Sequence, residues 1–120
     1  MEANTIINHI EIPAPDMLKA INFYSRVFGW ETEEFQEGYT FFKIGTSGIG
    51  GGFDSSLKPA EKGVGCQPVI NVDDITETLS RIEEEGGEIS LVKTELPGGA
   101  GFFAGFKDPN GNYLGLYSQQ

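Results

Sequence analysis

The chain has 120 residues, with eight basic side chains set against 18 acidic ones and a formal charge of −10. That balance repels phosphate backbones and argues against a nucleic-acid partner. No apolar run approaches the roughly 18 residues of a membrane span and no signal-peptide pattern opens the sequence, so a cytoplasmic protein with no membrane association is expected.

The length suits one domain able to bury its own core. Cys66 is the single cysteine, which leaves no intrachain disulfide to form, and 17 glycines with nine phenylalanines point to many tight turns and a β-rich composition. From the N-terminus, Ile6, Asn8, Ile10 and Ile12 alternate with Ile7, His9 and Glu11, which predicts a strand over 6–12 with an apolar face and a polar one. Pro13 and Pro15 end it. Asp16 is placed to cap a helix carrying Met17, Ala20, Ile21, Tyr24 and Val27 at helical spacing, with Gly29 as its stop. Strands are then expected over 30–36, 39–44 and 49–53, the last of them short and rich in glycine.

Residues 54–65 mix charge, proline and glycine without periodicity and read as a connection. Beyond it the pattern restarts. A strand is predicted over 67–72, with Pro68, Ile70 and Val72 on one face and Gln67, Val69 and Asn71 on the other. A helix follows, capped by Asp73 or Asp74, carrying Ile75, Leu79 and Ile82 and closed by Gly86-Gly87. Strands over 88–95, 102–107 and 113–118 complete the chain, the last two joined by the hairpin sequence DPNGN. Asp16 and Asp73, like Gly29 and Gly86, stand 57 residues apart, so the chain is an internal repeat of two βαβββ modules.

The phrases NHIEIPAPDMLKAINFYSRVFGWE and FKDPNGNYLGLY resemble the vicinal oxygen chelate superfamily, which groups glyoxalase I, extradiol dioxygenases, and bleomycin and fosfomycin resistance proteins. The resemblance covers essentially the whole chain. It implies an α+β fold in which the two modules, 5–54 and 66–119, form one glyoxalase-like domain, a half-open eight-stranded barrel around a cleft. It also implies a homodimer and a divalent metal in the cleft, where a Lewis acid stabilises an oxyanion of the substrate.

In glyoxalase-like members the metal ligands sit on the first, fourth, fifth and eighth strands. His9 matches the first position, and Gln67 the fifth, or Cys66 if the register shifts by one. The fourth strand offers only the glycines of GIGGGFD, and Gly115 stands where the eighth-strand Glu is expected. One imidazole and one amide are too few donors for a labile divalent ion. The expectation is therefore that the family metal site is lost and that no cofactor is held; a rearranged site of His9, Glu11 and Gln67 is the alternative.

Two kinds of function follow. The first is sequestration of a small, partly apolar molecule in the inter-module cleft, as in the bleomycin-resistance branch, with His9, Glu11, Gln67 and Asn71 as polar contacts and Phe42, Phe53, Phe103, Tyr113 and Tyr117 as apolar ones. The second is a metal-dependent lyase, isomerase or dioxygenase with rearranged ligands. For each residue a plainer role competes: His9 as a hydrogen-bonded strand histidine, Glu11 as a solvent-facing carboxylate, and the aromatics as core filling.

Overall fold

The computed structural model describes residues 5–46 and 48–120, and they fold into two compact units, Met1–Lys58 and Pro59–Gln120. The first runs β1 (His9–Pro13), α1 (Met17–Phe28), β2 (Glu31–Gln36), β3 (Tyr39–Lys43) and β4 (Gly50–Asp54). The second runs β5 (Val69–Asn71), α2 (Ile75–Glu84), β6 (Glu88–Glu95), a 3₁₀ turn over Pro97–Gly99, β7 (Phe102–Lys107) and β8 (Tyr113–Ser118). The sheet orders are β1-β4-β3-β2 and β5-β8-β7-β6, the same topology twice. The protein is thus α+β and built of two βαβββ modules, as the repeat foretold. Among the described residues no helix is long and apolar enough to cross a membrane.

Both helices start where the sequence places a cap. The Asp16 carboxylate accepts a hydrogen bond from the Lys19 N–H at 3.1 Å, and Asp74, rather than Asp73, does the same for Glu77 at 3.1 Å. Gly29 closes α1 in the left-handed region at φ 72°, which a side chain would disfavour. The first strand is shorter than its alternation suggests. It begins at His9 because β4, its one partner among the described residues, begins at Gly50, in register with His9, and Ile6 and Ile7 lie before that ladder and remain exposed. β5 is likewise trimmed to the three residues that pair with Gly115, Leu116 and Tyr117 of β8.

In the first unit the core is aromatic. Trp30 stacks between Tyr24 and Phe42, with centroids 4.8 Å away on each side, and Phe53 tilts against Phe42 at 4.7 Å and Tyr24 at 5.3 Å. Such pairs contribute about 0.5–1.5 kcal/mol each beyond the area they bury. Alternation puts Ile12, Thr40, Phe42 and Phe53 on this buried side of the sheet. In the second unit the core is mostly aliphatic: Ile75, Leu79 and Ile82 of α2, with Ala104, Phe106, Leu114 and Leu116 from β7 and β8. The hairpin between β7 and β8 is tied by the buried Asp108 carboxylate, which accepts from the Asn110 and Asn112 N–H groups and from the Asn112 amide, each at 2.9 Å.

Close strand contact in β4 depends on glycine. A Cβ on Gly51 would strike the Ile10 carbonyl oxygen and come within 2.5 Å of the Phe42 ring. Neither the ladder oxygen nor the stacked ring can yield, so Gly51→Ala is expected to cost about 2–3 kcal/mol of stability in a urea titration. Unchanged stability would show that β1 and β4 tolerate a wider spacing than this.

Candidate functional site

The face of the first sheet opposite its aromatic core carries the polar residues. Strand register places His9 and Glu11 of β1 beside Gly50 and Gly52 of β4, and Phe41 of β3 beside Gly52 on the other side. Tyr39, two residues before Phe41, lies on the same face. Because Gly52 has no side chain, the Tyr39 phenol can lean across it; a Cβ at Gly52 would sit on the Tyr39 hydroxyl. The ring thus reaches over β4 to β1.

There the Tyr39 hydroxyl donates to Glu11 Oε2 at 2.7 Å and stands 3.0 Å from His9 Nε2, which is itself 3.4 Å from Glu11 Oε2. A phenol has one proton. With that proton given to Glu11, the oxygen accepts from His9, which assigns the N–H to Nε2 and leaves Nδ1 unprotonated in the neutral imidazole. Partial burial, the hydrogen bond to Glu11, and the negative charges of Glu11 and Asp54 push the Tyr39 pKa up to about 12. Asp54 stays ionised, since hydrogen bonds from the Ser56 hydroxyl and N–H hold its carboxyl below the usual range.

An exposed aromatic group borders these polar atoms. Phe41 meets the His9 ring edge-on at 6.5 Å, Phe35 packs on Phe41 at 5.1 Å and on Tyr39 at 6.2 Å, and Phe35 remains 63% exposed. Register adds Glu31, Glu33 and Lys43 to the same face. Large aromatics left this open to solvent commonly mark a binding surface.

The structure corrects two of the expected contacts. Phe42 and Phe53 are 4% and 0% exposed and belong to the aromatic core, because the even-numbered residues of β3 and their odd-numbered partners on β4 face inward. Phe41, not Phe42, lines the open face. Tyr39 is the residue that sequence reasoning missed. Its signal was the shared parity with Phe41 together with the glycines of β4, which announce that something bulky crosses that strand.

On the second unit, Gln67 and Cys66 are exposed and precede β5, Asn71 is exposed at its end, and Tyr113 is half-buried with the Lys107 ammonium 5.9 Å from its ring. Gly115 occupies the place in β8 that Gly52 has in β4. A Cβ there would come within 2.6 Å of the Phe103 ring, so Phe103 covers Gly115 as Tyr39 covers Gly52. The space left by the expected carboxylate is taken by that ring. The Tyr117 hydroxyl lies 2.5 Å from the Ala100 carbonyl and 2.8 Å from Gln119 Oε1, and Gly101 is buried beneath it. Tyr117 therefore pins the Pro97–Gly101 turn.

Comparison with known proteins agrees with this architecture. Residues 6–116 match the model of the glyoxalase/bleomycin resistance protein/dioxygenase superfamily. A glyoxylase-like domain-containing protein of Didymella fabae is 34% identical over 89 residues, covering 68% of this chain and 69% of that protein. The chain belongs to this superfamily. Among solved structures, a family enzyme from Burkholderia phytofirmans PsJN superposes with a TM-score of 0.77 at 16% identity, covering 94% of this chain and 98% of that one. A variant of the fosfomycin resistance protein FosX from Listeria monocytogenes, complexed with Mn(II) and dihydroxypropylphosphonic acid, gives 0.77 at 18% identity, covering 94% and 89%. A lactoylglutathione lyase from Agrobacterium tumefaciens gives 0.70 at 23% identity, covering 98% and 96%. These likenesses establish the fold.

The superfamily resemblance implies metal ligands on the fourth and eighth strands, here β4 and β8. Gly52 and Gly115 carry no donor and are overlain by Tyr39 and Phe103, and among the described residues no group of three or more His, Cys, Asp or Glu side chains converges. An ultraviolet titration should show one tyrosine ionising near pH 12, and Glu11→Gln should lower that value by removing the charge and leaving only a weaker amide acceptor. The unfolded chain ionises first as the pH rises past 10, so the Tyr39 contribution to stability is intact below that pH and is lost as the pH climbs to about 12. A tyrosine titration with no such late component would refute the assigned hydrogen bond.

Proposed function

We propose that this protein binds a small, partly apolar molecule on the open face of its first sheet and does so without the metal of its superfamily. His9, Glu11 and Tyr39 supply the polar contact, and Phe35 and Phe41 the apolar one. The observation that carries this reading is the Tyr39 hydroxyl, held between His9 Nε2 and Glu11 Oε2 above a strand position without a side chain. The phenol engages Nε2, the histidine nitrogen beside Glu11, so an ion shared by His9 Nε2 and Glu11 would have to displace that hydrogen bond. On this reading the protein sequesters its ligand rather than turning it over, and it is a homodimer, as the family resemblance implies.

A metal-dependent lyase, isomerase or dioxygenase is the second reading. It is favoured by the 3.4 Å between His9 Nε2 and Glu11 Oε2, a separation that two ligands of one ion would also show. Against it, Tyr39 would have to move aside or lose a proton that its raised pKa retains.

Elemental analysis separates the two. Protein incubated with Zn, Mn, Ni or Fe(II) and then desalted is expected to retain far less than one ion per chain, with no difference between the parent chain and His9→Ala. Stoichiometric metal that disappears in His9→Ala would establish the metal-dependent reading instead.

A further inference from the structure

The hydrogen bonds inside the His9–Tyr39–Glu11 cluster decide what it can offer a ligand. The Tyr39 proton is used on Glu11, and the His9 Nε2 proton on the Tyr39 oxygen. What these bonds leave unused is a set of acceptors: Glu11 Oε1, the remaining lone pair of the Tyr39 oxygen and, in the neutral ring, His9 Nδ1, on His9 and Glu11 side chains that are 41% and 46% exposed. A ligand carboxylate or phosphate would meet three acceptors and no donor. A ligand ammonium would meet three partners.

The surroundings have the same preference. Glu11, Glu31, Glu33 and Asp54 share this face with a single lysine, Lys43, and Asp54 is held ionised by Ser56. Phe35 and Phe41 extend from the cluster as exposed rings, and aromatic faces attract cations as well as apolar surface. Resting on the binding function proposed above, we infer that the ligand is a small organic cation: a protonated amine that donates to Glu11, Tyr39 and His9, attached to a flat apolar body that lies on Phe41 and Phe35.

Three probes that share a benzene ring and a two-carbon arm test this. They are phenethylammonium, the neutral phenethyl alcohol and the anionic hydrocinnamate, each titrated into the full chain and followed by amide proton–nitrogen correlation spectra. Phenethylammonium is expected to shift the amides of His9, Glu11 and Phe41, to bind more tightly than the alcohol, and to weaken as salt is raised. Hydrocinnamate is expected to leave them in place. Glu11→Gln should weaken the ammonium roughly tenfold by removing a charge-assisted bond, and Phe41→Ala should weaken ammonium and alcohol alike. Glu84→Gln, which removes an equal charge from α2 of the second unit, should change nothing; the spectra themselves report whether each variant is folded.

Alcohol or hydrocinnamate bound to these residues as tightly as the ammonium would overturn the cation and leave the binding function standing. Equal weakening by Glu84→Gln would also overturn it, since the attraction would then belong to the net charge. If no probe shifts the amides of this face, both the cation and this face as the binding surface are refuted.

Discussion

Gly52 is the position on which the arrangement of the open face depends. Strands in a sheet lie close enough that a residue on one can reach past its neighbour only if the neighbour presents no side chain. At Gly52 the Tyr39 ring crosses β4 and places its hydroxyl against two residues of β1. The imidazole tautomer, the high phenol pKa and the set of unused acceptors all follow from that crossing. None would survive a Cβ at this point without moving the ring.

The second module repeats the device with a different result. Gly115 stands in β8 as Gly52 does in β4, and Phe103 leans over it as Tyr39 does. The geometry is the same, but a phenylalanine brings no hydroxyl, and the adjacent β5 residue is Val69 rather than Glu11. One module therefore builds a hydrogen-bonded polar cluster and the other packs an apolar ring on an apolar strand. In both, a glycine and a neighbouring ring stand where the superfamily pattern leads one to expect a carboxylate.

The cores divide in a comparable way. Tyr24, Trp30, Phe42 and Phe53 stack into one aromatic layer beneath the first sheet, whereas α2 covers the second with Ile75, Leu79 and Ile82. That layer explains why an abundance of phenylalanine misleads about the site. Adjacent rings such as Phe41 and Phe42 have equal claims in composition, and only the inward or outward parity of the strand distinguishes a core residue from a surface one.

Much of this protein was legible before any fold was seen, because the signals are local. Helical spacing, the caps at Asp16 and at Asp73 or Asp74, the stop at Gly29 and the DPNGN turn each act within a few residues, and together they specified two βαβββ modules and placed His9 and Glu11 on one face. What tertiary structure decided depends on contacts between distant parts of the chain. Strand ends were set by the length of the partner strand, so β1 begins at His9. The Tyr39 hydroxyl meets Glu11 and His9 across 28 and 30 residues of sequence. No periodicity encodes such a meeting; cross-strand register brings the groups together, and the missing side chain at Gly52 lets them touch.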